Sequence, residues 1–452
     1  MFSTRHFGAL PPVPRRNKFL SMLLLYITYV WVMIHTYDFQ IAEQNAYGGM
    51  QPWEMTFVGW VLLIIALPLI AFMASRIKGN PSDFFLVFYS AIPLISLLAL
   101  TSTSGKINNF VLLPALLVLT FPLFATLTLR YLMPKIRWSG VVSSNIVERV
   151  LLGILFLTIL FSYFKAPASA SFDVVSNEFD RRLDGREIYT DGSLIAYVLQ
   201  MCMNGFAPYL AFRSAFNGRI LVALIAFGAA VFFYWLLAVK APLAFVLVGY
   251  LIGLLAKRKA LSYLVKYFLF CTIGLYLLVL LEWWFFDNVS VIANYGIRRL
   301  FAVPAQLQGY YLDFLMVDTP SAWNWLIGVQ DRSFQVTFFI GEKYLGSSAS
   351  NANTNAFLYA FAANGFWGYL VAVLFVSTLL VLLDSLYRST RNPAYLFIGF
   401  IYGLLVCEQS FSTAMVSSGV GMVFFLTLLE KNESSVVRKN MVVRRMWRSL
   451  RY

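Results

Sequence analysis

Hydrophobic residues along this chain gather into runs of about 17–25, which short polar segments separate. A helix of that length crosses ~30 Å of hydrocarbon, because it rises 1.5 Å per residue. The runs are too long for barrel strands, which need only about ten alternating residues. The pattern therefore predicts twelve transmembrane helices, near residues 19–36, 56–75, 84–102, 110–129, 149–165, 194–212, 220–239, 241–256, 266–286, 365–384, 394–407 and 415–430.

The composition agrees with this pattern. Of the 452 residues, 60% are hydrophobic and only 12% are charged, and the mean hydropathy is +0.72. Soluble domains carry about twice that share of charged residues. We expect an all-α polytopic protein in which residues 1–452 form a single integral membrane domain. The three cysteines lie in or beside predicted spans and indicate no disulfide framework.

Charge predicts the orientation of the chain. A cytoplasmic N-terminus followed by twelve alternating spans places 25 of the 35 Lys and Arg residues inside and 16 of the 21 Asp and Glu residues outside. This satisfies the positive-inside rule, so the net charge of +14 reflects topology rather than nucleic-acid binding. Both termini are expected in the cytoplasm. Residues 431–452 interleave basic and apolar side chains, which predicts a basic amphipathic tail on the membrane surface, with docking of a cytoplasmic partner as the alternative.

Two predicted outer loops, 165–193 and 287–357, are much longer than the other connections, and long loops in compact proteins commonly carry function. Each contains an Arg-Arg-Leu triplet whose first arginine is followed, after ten residues, by glycine. The members of this repeated motif are Arg181, Arg182, Leu183 and Gly192 in the first loop and Arg298, Arg299, Leu300 and Gly309 in the second. Arginine binds phosphate oxygens in pairs and keeps its charge, so these residues and Arg332 are candidates for a diphosphate site. Lipid headgroups or nearby acids are the alternative partners.

Other residues of the outer face suit sugar chemistry. Glu408, at the predicted outer end of a span, is the best candidate for a general base, with Asp191 and Asp331 as rivals. The amides of Asn351, Asn353 and Asn355 could bind sugar hydroxyls, although Asn355 could instead cap the next helix; these three residues alternate along the chain. The only acid-x-acid pair considered for a metal, Glu178 and Asp180, is weak, so we expect no metal and no cofactor.

At this level of detail the chain resembles the Wzy-type O-antigen polymerases. The resemblance rests on the span number, the two loops with their motifs, and the strings at 294–304, 351–357 and 407–413. It implies a membrane-embedded glycosyltransferase of GT-C-like architecture in the bacterial inner membrane. Such an enzyme transfers the growing glycan from one undecaprenyl pyrophosphate carrier to the next lipid-linked repeat unit on the periplasmic side. It also implies a chain-length regulator and a flippase as partners, and it assigns the loop motifs to Arg181, Arg298, Gly192 and Gly309.

The resemblance also marks one departure and two rivals. The loops carry net charges of −2 and −1, so bulk positive charge does not attract a donor glycan here. An O-antigen ligase is expected to use a histidine in its large outer loop, yet the only histidines are His6 and His35. A flippase or other transporter would favour polar residues within spans, and the predicted spans are almost free of charge.

Overall fold

The computed structural model describes residues 15–138, 140–172, 181, 184–185, 187–189, 193–286, 290–316, 323–324, 326–329, 335–348 and 350–431. Of residues 15–17, 323–324 and 329 it describes the backbone alone.

Within these ranges the protein is all-α apart from one minimal hairpin of two-residue strands. The helices are α1 Arg15–Thr36, α2 Phe57–Ser75, α3 Pro81–Tyr89, α4 Ser96–Ala99, α5 Asn109–Leu132, α6 Ser144–Phe164, α7 Leu194–Met201, α8 Ala207–Asn217, α9 Ile220–Leu237, α10 Ala241–Lys257, α11 Leu264–Phe286, α12 Val303–Met316, α13 Val336–Leu345, α14 Ala356–Thr390, α15 Ala394–Leu405, α16 Phe411–Met415 and α17 Val420–Leu429. The strands are β1 Trp323–Asn324 and β2 Gly328–Val329, which pair antiparallel. Short π-helices (Tyr37–Ile41, Ser90–Ile95, Cys202–Phe206 and Ala293–Ala302) and 3₁₀ turns (Glu43–Gly48, Thr101–Ser104 and Leu261–Tyr263) extend or join them.

Nine helical segments of the described chain are long and apolar enough to cross a membrane, which confirms a polytopic membrane protein. They are Lys18–Ile41, Phe57–Ser75, Pro81–Ala99, Asn109–Leu132, Ser144–Phe164, Leu194–Asn217, Ile220–Leu237, Leu261–Phe286 and Ala356–Thr390. Three further apolar helices, α10, α15 and α17, are shorter.

The bundle has two ends, which we name by the connections they carry. The loop face contains the described residues within 42–56, 100–108, 165–193, 238–240, 287–355 and 406–419. The terminal face contains the described residues within 76–80, 133–143, 218–219, 258–260, 391–393 and residue 431. At these faces, side-chain hydroxyls and amides cap several helix starts; for example, Thr56 Oγ1 accepts the backbone N–H of Gly59 at 3.1 Å. Such caps matter in lipid, where no water satisfies free backbone groups.

The centre of the bundle is the segment Pro81–Ala99, every residue of which is buried. It packs against α15, where glycines allow the two backbones to approach closely. A Cβ on Gly399 would lie 2.5 Å from the Pro81 carbonyl oxygen, and one on Gly403 would lie 2.8 Å from the Phe85 nitrogen. Small residues at helix crossings provide this close packing in membrane proteins.

Buried ion pairs hold the terminal face together. Arg130 joins Asp83 at 2.8 Å and Asp384 at 2.9 Å, and both carboxylates are fully buried. Arg213 likewise joins Glu148 at 3.2 Å and Glu430 at 2.6 Å. The expectation that the spans are almost free of charge was therefore too simple. Acids and arginines at the helix ends are tolerated there because each charge meets an opposite one.

Most of the described residues of the second long loop are helical, a structure that the sequence analysis did not predict for it. Residues 293–316 form a continuous helical segment whose buried side chains, such as Ile297, Phe301 and Phe314, pack over the ends of the central helices. Helix α13 follows after the hairpin. The apolar residues here recur at helical spacing but never form a long run, so a search for spans alone passes over them.

Candidate functional site at the loop face

The arginine pair of the second loop lies on a segment that is anchored to the loop face. Just before this segment, Ser290 donates its hydroxyl to Glu282 at 2.5 Å and its backbone N–H to Gln40 at 3.1 Å. Glu282 also accepts the backbone N–H of Val291 at 3.0 Å. Residues Ala293–Ala302 then wind as a π-helix, a rare geometry that is frequent at functional sites.

Neither Arg298 nor Arg299 has an acidic partner among the described residues. Arg298 is half-buried and donates from Nε to the Asn294 carbonyl oxygen at 3.1 Å, whereas Arg299 is exposed. Burial, together with the adjacent charge of Arg299, lowers the pKa of the Arg298 guanidinium. An anion bound between two such groups would relieve their repulsion and form charge-assisted hydrogen bonds.

Both arginine-containing loops meet the loop-face end of helix α9. From the first loop, Arg181 donates a hydrogen bond to the Ser171 carbonyl oxygen and lies 5.8 Å from the ring centre of Tyr234, on α9. From the second loop, the ring of Tyr295 lies 4.4 Å from Nζ of Lys240, three residues beyond the helix. These contacts place Arg181 near the end of α9 and Tyr295, three residues before Arg298, beside Lys240, a residue that the sequence analysis did not single out.

The matching motifs nevertheless differ in their surroundings. Arg181 is fully enclosed by protein, whereas its counterpart Arg298 is half-buried and Arg299 is exposed. Gly309 lies in a close contact: a Cβ there would stand 2.2 Å from Oγ of Ser104, so packing by itself requires a glycine. Among the motif residues that the structure describes, a π-helix and accessible guanidinium groups occur together in the second motif only.

A second feature is the region below the loop face around the end of α15 and the start of α17, which we call the recess. Helix α15 has 12 residues and α17 has 10, lengths of about 18 and 15 Å, against the ~30 Å of a bilayer core. Both helices start or end at the terminal face. Their connection, residues 406–419, therefore lies well below the outer ends of the longer helices. This connection contains Glu408.

A re-entrant arm descends to the same depth. Helix α14 breaks at Asn364 and Gly365. Gly365 has a φ of 64° and a ψ of −164°, a backbone conformation that is essentially restricted to glycine. Residues 356–363 consequently fold back beside the rest of α14, and a Cβ on Gly368 would lie 2.9 Å from the Ala360 carbonyl oxygen. At the foot of the arm, the Ala356 N–H donates to the Val406 carbonyl oxygen at 2.9 Å.

The asparagine-rich segment leads into this arm. The Ala352 carbonyl oxygen accepts the Tyr311 hydroxyl at 3.1 Å, and Ala352 itself is buried, while Asn351 and Asn353 on either side are exposed. Asn355 caps the arm, since its Oδ1 accepts two backbone N–H groups at 3.1 and 3.2 Å. The alternation thus presents two amides to ligands and uses the third for folding.

Glu408 stands two residues beyond the point where the arm contacts its connection. Its side chain is exposed, yet enough protein surrounds it that desolvation raises the pKa of its carboxyl group. Because a general base works best with a pKa near the operating pH, this shift suits proton transfer better than an ordinary glutamate would.

Comparison with family models, with curated protein sequences and with solved structures finds no match for this chain. Contacts in the structure link segments that contain or adjoin the three strings on which the resemblance rests. The string 351–357 contacts the 406–410 turn through Ala356, and the string 294–304 leads into α12, whose Tyr311 holds Ala352. No described contact joins Arg298 or Arg299 to Glu408.

Several predicted residues lie outside the described part of the chain: Arg182, Gly192 and Arg332, the rival bases Asp191 and Asp331, and the pair Glu178 and Asp180. Within the described part, no group of three or more His, Cys, Asp or Glu residues is arranged to hold a metal ion.

The sequence analysis also missed two tyrosines near the recess. Tyr89, in the middle of the central helix, lies 5.2 Å from the ring of Phe357 at the foot of the arm. Tyr402 is one turn before Val406 on α15. Both are fully buried, and their hydroxyls have no hydrogen-bond partner among the described residues. A hydroxyl in the middle of an apolar run was the signal, since buried polar groups usually have partners.

Proposed function

We propose that this chain is a polymerase of lipid-linked polysaccharide repeats, similar to the Wzy-type O-antigen polymerases, and that it works at the loop face. The observation that carries the proposal is the hydrogen bond from Ala356 to Val406. It ties the segment that carries the exposed residues Asn351 and Asn353 to the connection that carries Glu408. A carboxylate with a raised pKa beside sugar-binding groups is what glycosyl transfer to a hydroxyl requires.

In the proposed reaction, the bond between C1 of the growing glycan and its diphosphate breaks. A hydroxyl of the incoming repeat unit forms the new bond to C1, and its proton passes to Glu408. The undecaprenyl pyrophosphate that leaves carries new negative charge, which Arg298 and Arg299 stabilise without a metal. Their lack of acidic partners in the described chain supports this role.

Arg181 has a different role in this proposal. Because it is enclosed and bonded within its own loop, it positions the loop against α9 rather than contacting substrate. Lys240, close to Tyr295, joins Arg298 and Arg299 in the basic region that attracts the diphosphate.

The topology is part of the same proposal. We propose that the nine long helices and the three shorter ones form twelve membrane segments in a GT-C-like arrangement, of which α15 and α17 do not cross the full bilayer core. The distribution of Lys and Arg supports a periplasmic loop face and cytoplasmic termini in a bacterial inner membrane. A flippase that delivers repeat units and a chain-length regulator would be its partners.

A transporter of lipid-linked oligosaccharide is the second candidate, because buried charges such as Asp83 and Asp384 are common in transport pathways. An O-antigen ligase has less support. The loop-region histidine that it would need is missing from the chain, and His35 lies in α1, where Nδ1 is 3.0 Å from the Tyr276 hydroxyl.

Deletion of the gene in its native host, followed by complementation, tests the proposal on a lipopolysaccharide gel. Loss of a polymerase leaves lipid A core that carries one repeat unit, and the wild-type gene restores the ladder. Loss of a flippase or a ligase leaves core without any repeat, and that pattern would refute the polymerase.

A further inference from the structure

A cavity of about 240 Å³ opens at the terminal face, far from the recess described above. It lies between the end of α8, the turn from α14 to α15, and the end of α17. Pockets for drug-sized ligands are commonly about 300–1,000 Å³. This cavity therefore suits a small anion or one lipid headgroup better than a sugar chain.

The wall of the cavity contains a buried arginine, Arg213, one of whose guanidinium nitrogens makes no hydrogen bond to the described residues. Arg213 is 8% exposed; its Nε pairs with Glu148 and its Nη1 with Glu430. The remaining nitrogen, Nη2, has no hydrogen-bond partner among the described residues. The carboxylate of Glu430 is fully engaged, since its other oxygen accepts Asn392 Nδ2 at 2.9 Å.

Two exposed cations complete the wall. Arg391 ends α14 in the left-handed conformation, and Lys431 follows α17, where its backbone N–H donates to the Val142 carbonyl oxygen. Neither has an acidic partner among the described residues. With Arg213 and Glu430, the lining carries three cations and one carboxylate, a net formal charge of +2.

The start of α15 adds to this field. Pro393 and Ala394 line the cavity, so the positive end of a 12-residue helix dipole faces it. Cations, a spare guanidinium nitrogen and a helix start all favour one kind of ligand. We propose that this cavity is a phosphate-binding site that takes the phosphate of an anionic phospholipid headgroup or of a small phosphorylated molecule.

The test uses the purified full-length protein and two matched double variants. Arg391→Asn with Lys431→Gln removes the exposed cations of the cavity, and asparagine tolerates the left-handed backbone of position 391. Lys259→Asn with Lys135→Gln is the control: Lys259 is also left-handed and exposed, Lys135 is exposed, and neither lines the cavity. Native mass spectrometry then measures binding of phosphatidylglycerol, phosphatidylcholine and glycerol 3-phosphate.

We expect the wild-type protein and the control to retain phosphatidylglycerol in preference to phosphatidylcholine, and the cavity variant to bind it at least about tenfold more weakly. Competition by glycerol 3-phosphate would show that the site also accepts soluble phosphates. Binding of glycerol 3-phosphate alone, lost in the cavity variant, would identify a soluble ligand. Equal losses in both variants, or no loss in the cavity variant, would overturn the proposal, because general surface charge would then explain any binding.

Discussion

The break in helix α14 positions the re-entrant arm, and a single substitution can test this role. We predict that Gly365→Ala collapses the re-entrant arm and abolishes chain extension. The native φ of 64° with ψ of −164° is a backbone region that is essentially restricted to glycine. In addition, a Cβ there would lie 2.4 Å from the Leu326 carbonyl carbon and 2.5 Å from the Gly328 nitrogen.

Both costs follow from these distances. Forcing alanine into that backbone region costs about 1–3 kcal/mol. Displacing the β-hairpin that contacts Gly365 costs a further ~1–3 kcal/mol, because the clash involves backbone atoms and not a mobile side chain. In the Gly365→Ala protein, the conformation with the arm folded back should therefore lose about 2–6 kcal/mol of stability relative to a conformation in which α14 has no break.

Thermal unfolding of the purified protein and the lipopolysaccharide ladder in complemented cells provide the two measurements. Gly274→Ala is the control, since a Cβ at that position in α11 would have no other atom within 4 Å. We expect the control to unfold like the wild type and to restore the ladder. A Gly365→Ala protein with wild-type unfolding and a full ladder would show that the break does not position the asparagine segment.

Three further predictions test individual side chains. Glu408→Gln should fold normally yet leave a single repeat. Because the pKa of Glu408 is raised, its base form, and with it the reaction rate, should be lost at a higher pH than for an ordinary glutamate. In a reconstituted assay, a rate that falls only at or below a pH of about 4.3 would contradict this role. Because the proposed site binds diphosphate in a bidentate manner, Arg298→Lys should lose the ladder of chain lengths just as Arg298→Ala does. The control Arg137→Lys should retain the ladder. A full ladder with Arg298→Lys would indicate that Arg298 is a simple headgroup anchor. Asp384→Asn should lower the free energy of unfolding by roughly 3 kcal/mol. This value is at the low end of the cost of breaking a buried ion pair, because Arg130 still pairs with Asp83. An unfolding midpoint equal to that of the wild type would refute this prediction.

Hydropathy was sufficient to predict the class of the fold and most of its helices. Runs such as 220–239 and 266–286 became helices with similar limits, because an apolar segment in lipid has no other way to satisfy its backbone. The runs at 394–407 and 415–430 were predicted as ordinary spans. Only contacts show that they stop short, since a hydropathy average does not register the turn at Glu408.

The sequence predicted candidate residues for a site, but it did not predict their environments. The Arg-Arg-Leu repeat implied equal roles for Arg181 and Arg298, yet one guanidinium is enclosed and the other is half-buried. Their burial depends on which helix each loop meets, and sequence spacing does not encode that. The ion pairs of the terminal face had a visible signal: Asp83, Glu148, Asp384 and Glu430 are among the few acids on the side where basic residues dominate.

The brevity of α15 and α17 also has a consequence for the surrounding bilayer. Phe425 on α17 is exposed, so the outward-facing hydrophobic surface that α17 itself offers to lipid is only about 15 Å tall. Lipids must thin or tilt there, at a cost of fractions of a kcal/mol for each ångström of mismatch. The acyl-chain length of the lipid should therefore affect this side of the protein more than the others. Long-chain lipids would bring hydrocarbon into contact with the polar connection that contains Glu408.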